Sequence, residues 1–132
     1  MGQFKQMAII EAEQQASEFV PSNPQINGQP TSLVWRNRLG PVKIVDAGYT
    51  DESKTELVIV LANGQRFTCL SSTFGGGSIP QQLRDATKLV LASGQLVELC
   101  VARNPVTRNV APGYFCGFRL AGSKSGTGLI GL

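Results

Sequence analysis

From Phe4 to Val20 the chain holds neither Gly nor Pro, and its apolar residues Ile9, Ala12, Ala16, Phe19 and Val20 recur at helical spacing. Glu11, Glu13, Gln14 and Glu18 fall largely on the other side. The pattern predicts an amphipathic N-terminal helix within residues 1–20. Residues 21–31, with Pro21, Pro24, Gly28 and Pro30, read as a linker without regular structure. The helical period then gives way to short β-rich runs. Ser32–Arg38 suits a short first strand, and Pro41–Tyr49, with Val42, Ile44 and Val45, a longer one. A polar turn over 50–54 leads to the strongly apolar run Thr55–Ala62, and Gln65–Ser71 returns after Asn63-Gly64.

Asn63-Gly64 between two β-rich runs predicts a two-residue type I′ hairpin. That loop sets Val60 opposite Phe67 and Val58 opposite Cys69, with these four on the core face. Leu57, Ile59 and Leu61 then share a mixed second face with Arg66, Thr68 and Leu70, either covered by the first helix or used for binding. After Gly75-Gly76-Gly77, Ser78 is the expected N-cap of a second helix and Pro80 suits its first turn. Leu83, Ala86, Thr87, Val90 and Leu91 form its inward stripe, and Ser93-Gly94 ends it. Gln95–Arg103 is a strand with Val97, Leu99 and Val101 inward, and Tyr114–Leu120 is the last strand. Residues 121–132 read as a flexible Gly/Ser-rich tail with an apolar tip.

The elements predict an α+β chain: a small, mostly antiparallel β-barrel over residues 32–120, preceded by the N-terminal helix. Its order β-β-β-α-β-β over residues 41–120 resembles that of the OB-fold, which implies an oligonucleotide-binding sheet face. An SH3-like barrel or a split α+β sandwich can use the same order.

Composition narrows the class. With 42% hydrophobic and 16% charged residues, 15 Gly and 7 Pro, the chain suits one turn-rich folded domain. Charge is unevenly placed: residues 1–30 hold one base against three acids, the remainder eleven bases against six acids. From Leu99 onward there are four bases and no acid, which favours a polyanionic partner. No apolar run approaches membrane-spanning length and no secretory leader is evident, so neither a membrane partner nor export is expected. Cys69, Cys100 and Cys116, widely spaced in apolar segments, read as buried thiols of a reducing, cytoplasmic compartment.

The chain has no His, which removes Ser-His-Asp triads, imidazole acid–base chemistry and His-ligated metals. No catalytic residue, metal site or small-molecule cofactor is therefore expected. Asp46, Asp51 and Glu52 could gather round a divalent cation, but acids are common in turns and at strand ends. The Gly75–Gly77 run could offer backbone N–H groups to an anion, yet it matches neither phosphate-binding fingerprint and reads rather as a flexible connection into the helix.

Basic residues beside aromatics carry the positive case, since single-strand binders combine a cationic groove with rings for base stacking. Trp35, Arg36, Arg38, Lys43, Tyr49, Arg66, Arg103 and Arg108 are the candidate nucleic-acid-binding residues, with Trp35 as stacking platform or else as packing for the barrel's open end. Phe67 is expected in the core. The sequence thus predicts a non-catalytic domain that binds single-stranded DNA or RNA. Its alternative is a structural or assembly subunit of a virion or accessory complex, acting through protein–protein contacts. A homo-oligomer is expected from an acidic arm joined to a basic body. The tail is similar to the docking tails of single-stranded-DNA-binding proteins but lacks their acidic tip.

Overall fold

The computed structural model describes residues 18–121. Residues 1–17, which carry most of the helix expected within residues 1–20, and residues 122–132 of the expected tail lie outside the described residues. Within them the chain runs β1 (Gln25–Ile26), β2 (Gln29–Pro30), β3 (Leu33–Trp35), β4 (Val42–Tyr49), β5 (Glu56–Leu61), β6 (Arg66–Leu70), a 3₁₀ turn (Ser71–Phe74), α1 (Gln81–Ser93), β7 (Leu96–Ala102) and β8 (Gly117–Leu120). Among the described residues the fold is mixed α+β, an antiparallel sheet curled into a half-barrel with one α-helix.

β7 organises the sheet. Its one edge takes β3 at residues 100–102 and β4 at residues 96–97, and its other edge takes β8. β5 and β6 follow β4 outward. The free edge of β6 bends round to the segment before β8, where Phe115 N–H donates to Thr68 O at 3.0 Å and Thr68 N–H to Gly113 O at 2.9 Å. The outer edge of β8 is bridged in turn by Phe19, with reciprocal bonds to Phe118 of 3.0 and 2.8 Å. Phe19 is therefore extended backbone, and the expected helix does not reach residue 20. The close approach explains Gly117: a Cβ there would lie 2.4 Å from Phe19 O and 2.9 Å from Pro21 Cδ.

The two Asn-Gly pairs behave differently. At Asn27-Gly28 both residues have positive φ (52° and 77°) and Ile26 pairs directly with Gln29, so the type I′ hairpin forms here, inside the segment expected to lack regular structure. At Asn63-Gly64 only Gly64 is left-handed (φ 90°), and Leu61 N–H bonds Gln65 O across the three-residue loop Ala62-Asn63-Gly64. Asn63 Oδ1 accepts the Gln65 N–H at 2.9 Å and fixes that turn. The extra loop residue slips the register by one, so Ile59 opposes Phe67 and Leu57 opposes Cys69. Strand side chains alternate faces, so the slip turns β5 over relative to expectation. Leu57, Ile59 and Leu61 are core with Phe67 and Cys69, while Val58 and Val60 face outward and are half-buried.

The concave face packs on α1. Leu83, Ala86, Thr87 and Val90 are buried, as the stripe predicts, against Ile44, Ile59, Leu99 and Phe118 of the same core. Burying a side chain the size of Leu or Phe contributes roughly 1.5–3 kcal/mol, so this cluster is the main source of stability. Thr87 satisfies its buried hydroxyl on Leu83 O at 2.8 Å. Gly94 (φ 69°) ends α1 as expected, with its N–H on Val90 O. Ser78 does not cap it. Pro80 occupies that position with extended backbone, and Ser78 Oγ instead donates to Ser53 O at 2.8 Å, three residues before the first helical turn. Cys69, Cys100 and Cys116 are buried free thiols. Among the described residues no helix is long and apolar enough to cross a membrane.

Candidate binding surfaces

The candidate residues do not converge on one site. Trp35, half-buried on β3, packs against the small cluster of Cys100, Ala102 and Cys116. The Arg119 guanidinium lies 3.8 Å from its ring centroid, and Arg119 Nε is held by Glu98 Oε1 at 2.9 Å. One ring face is therefore already taken by a cation–π contact. Arg36, next along, is turned inward on structural duty. Its Nη2 donates to Tyr114 O at 2.8 Å and Ala111 O at 2.9 Å, its Nε donates to Tyr114 O at 3.2 Å, and its guanidinium sits 5.1 Å from the Phe67 ring. Burial pulls its pKa below the ordinary arginine value. Through Nε and Nη2, Arg36 ties the end of β3 to the loop before β8.

Tyr49 lies partly under Lys54, whose Nζ is 5.8 Å from the ring. Burial pushes its hydroxyl pKa up; Arg84 opposes that rise and Asp85 adds to it. Lys43 is exposed but runs past the C-terminal end of α1, where a Cβ on Gly94 would be 3.4 Å from its Cε. A cation is favourable there, beside the negative end of the helix dipole. Arg38, Arg66 and Arg108 are exposed and Arg103 half-buried. Arg103 is held through its backbone, donating to Ser32 O and accepting from Thr31 Oγ1.

The acidic candidates are not gathered either. Asp51 is engaged within its own turn, accepting from Thr55 Oγ1 at 2.6 Å and Thr55 N–H at 3.0 Å, and these bonds hold its carboxyl below the usual range. Among the described residues no group of three His, Cys, Asp or Glu is placed to hold a metal ion. The Gly75–Gly77 run serves as a left-handed connection, with φ of 95°, 95° and 80°. Gly75 and Gly76 N–H bond Ser72 and Ser71 carbonyls, which removes those two donors from any bound anion.

A concavity of about 770 Å³ lies between the β1–β2 hairpin, the 3₁₀ turn and the loop from Asn104 to Tyr114. Gln25, Asn27, Thr73, Asn104, Thr107 and Asn109 supply amides and hydroxyls, and Ile26, Leu70, Val101, Val110 and Tyr114 supply apolar surface. Among the described residues no charged side chain lines it, and none of the eight candidate residues does. Asn104 Oδ1 holds one wall by accepting from Val106 and Thr107 N–H. No local sequence pattern marks this cleft, because its walls meet only when the fold brings residues 25–27, 70–73 and 101–116 together. The 104–113 loop stood out for its arginines, whereas its amides and hydroxyls line the cleft.

A second concavity, about 270 Å³, is a shallow groove on the outer face of β4–β6, lined by Asp46, Gly48, Tyr49, Val58, Val60 and Arg66 among others. It unites two of the candidates, Tyr49 and Arg66. Comparison with protein-family models, with curated proteins and with solved structures found no match to this chain.

Proposed function

We infer that the chain is a non-catalytic contact domain, a subunit of a protein assembly whose uncharged cleft receives an extended segment of a neighbouring subunit. The supporting observation is the lining of the 770 Å³ cleft, which combines amides and hydroxyls with apolar side chains and, among the described residues, holds no charged side chain. Phosphate backbones are gripped by cationic grooves, and their affinity rests on that charge. A neutral polypeptide segment instead needs hydrogen-bonding groups for its backbone and apolar surface for its side chains. Ala111 and Asn109 are exposed on the rim of the cleft, so a charge introduced there alters recognition without disturbing the core. Light scattering of the full-length chain across a concentration series tests the reading. Mass is expected to grow with concentration, and Ala111→Glu is expected to curtail that growth. A mass that stays monomeric throughout, or growth that Ala111→Glu leaves untouched, overturns it.

A second reading, binding of single-stranded DNA or RNA, keeps the support of Arg38, Lys43, Arg66, Arg103 and Arg108. Among the described residues none of these five has an acid within ion-pair distance. The finer form of the fold expectation, a closed OB-like barrel, goes with this reading. Its test is a labelled oligonucleotide titrated at several salt concentrations with Trp35 fluorescence as second readout. Binding that weakens steeply with salt supports it, and no binding at low salt removes it.

A further inference from the structure

The outward residues of β4, β5 and β6 form two cross-strand rows. In one, Asp46 opposes Val60 and Val60 opposes Arg66; in the other, Gly48 opposes Val58 and Val58 opposes Thr68. Asp46, Gly48 and Arg66 are exposed, and the two valines are half-buried between them. A bulge between Ile44 and Asp46 adds Val45, 49% exposed, beside the first row. Asp46 and Arg66 stand two strand spacings apart, about 10 Å, too far to pair with each other. Neither has an ion-pair partner among the described residues.

The pattern is its own complement. Consider two copies stacked face to face about a two-fold axis that runs along β5. The axis carries the β4 position of one copy over the β6 position of the other. Asp46 then meets Arg66 of the second copy, and Arg66 meets its Asp46, so one contact is made twice. Val58 and Val60 meet their counterparts. Gly48 has nothing within 4 Å of a Cβ position and leaves room where Thr68 of the second copy arrives. Glu56 is the outward β5 residue that the axis sets against itself. It lies three residues from the midpoint of the valine pair, and sheets packed at about 30° carry the two carboxylates roughly 5 Å apart sideways. Its carboxylate also accepts from Thr50 Oγ1 at 3.1 Å.

We propose that this outer face is a two-fold interface between two copies of the chain, aligned by reciprocal Asp46–Arg66 contacts over Val58 and Val60. The proposal rests on the reading of the chain as an assembly subunit, and it names the partner of a surface separate from the cleft. A three-strand face falls at or below the roughly 800 Å² per partner of a standard interface, so association is concentration-dependent.

Sedimentation velocity of the full-length chain over a concentration series, with charge-swap variants, tests it. Asp46→Arg and Arg66→Asp each place like charges at both symmetric contacts, and each is expected to weaken dimerisation about tenfold or more. Asp46→Arg/Arg66→Asp together restore opposite charges and are expected to return the dimer to within about threefold of wild type. Asp46→Asn and Arg66→Gln, checked for folding by circular dichroism, are expected to weaken it in the same direction by less. The absence of a wild-type dimer, single variants that dimerise like wild type, or a double variant as weak as the weaker single overturns the proposal. Ala111→Glu, in the cleft, is expected to stop growth beyond the dimer while leaving the dimer itself. Loss of one behaviour without the other therefore shows whether the sheet face or the cleft reading has failed.

Discussion

Arg36 shows how one side chain's surroundings decide its work. A sequence in which Trp35, Arg36 and Arg38 fall within four residues presents three candidates for one polyanion. The fold instead spends the guanidinium of Arg36 on the carbonyls of Ala111 and Tyr114, over Phe67. Arg36→Ala is expected to lower stability by about 2 kcal/mol, the usual scale for charge-assisted hydrogen bonds, as read by urea unfolding. Loss of oligonucleotide affinity with stability unchanged would contradict that role. The thiols make a second case. Burial pushes the pKa of Cys69 up, and a hydrogen bond with Cys116 together with burial pushes that of Cys100 up. A disulfide reagent is thus expected to find essentially no reactive thiol in the native protein and three after denaturation. Asp51 gives the pH dependence. Its folded pKa is depressed by the Thr55 bonds, so the stabilisation is present above the unfolded carboxylate pKa and disappears as pH falls through the folded value. Thr55→Val is expected to raise the Asp51 pKa toward its ordinary value, as followed by carboxyl NMR titration.

At the scale of elements, Gly117 is the most constrained joint. Gly117→Ala drives a Cβ into Phe19 O and is expected to destabilise by about 1–3 kcal/mol, as overpacking usually does, with loss of hydrogen-exchange protection at Phe19 and Phe118. That joint was invisible in the sequence, because the residues it brings together are about a hundred positions apart. Local signals were legible: the apolar stripe of α1, its Gly94 stop, and the alternation of Val97, Leu99 and Val101 all recur in the structure. The Asn63-Gly64 hairpin was legible as a hairpin but not in register. The choice between a two- and a three-residue loop turned on Asn63 accepting the Gln65 N–H and on which face of β5 the core could fill. The same dipeptide at 27–28 took the tighter turn in a stretch whose prolines hid it. Candidate site residues were legible as types and not as a site, since charge and aromaticity mark a side chain while convergence depends on the curl of the sheet.

For the whole molecule, the cleft and the outer sheet face make different demands on partners. In the proposed readings the cleft would take a segment unlike itself, a heterologous contact, whereas the self-complementary face would close on a second copy. A subunit carrying both can build an assembly larger than a dimer. The engagement of Trp35, Arg36 and Tyr49 in contacts within the domain, set against a 770 Å³ concavity with no charged side chain among the described residues, is why protein contact is proposed ahead of nucleic-acid binding. The most direct measurement is sedimentation velocity of the full-length chain at rising concentration, repeated with a fluorescent single-stranded oligonucleotide at low salt. Association is expected to grow with protein concentration, to need no oligonucleotide, and to carry little of the label. A chain that stays monomeric alone, and takes up the oligonucleotide with steep salt dependence, would contradict it.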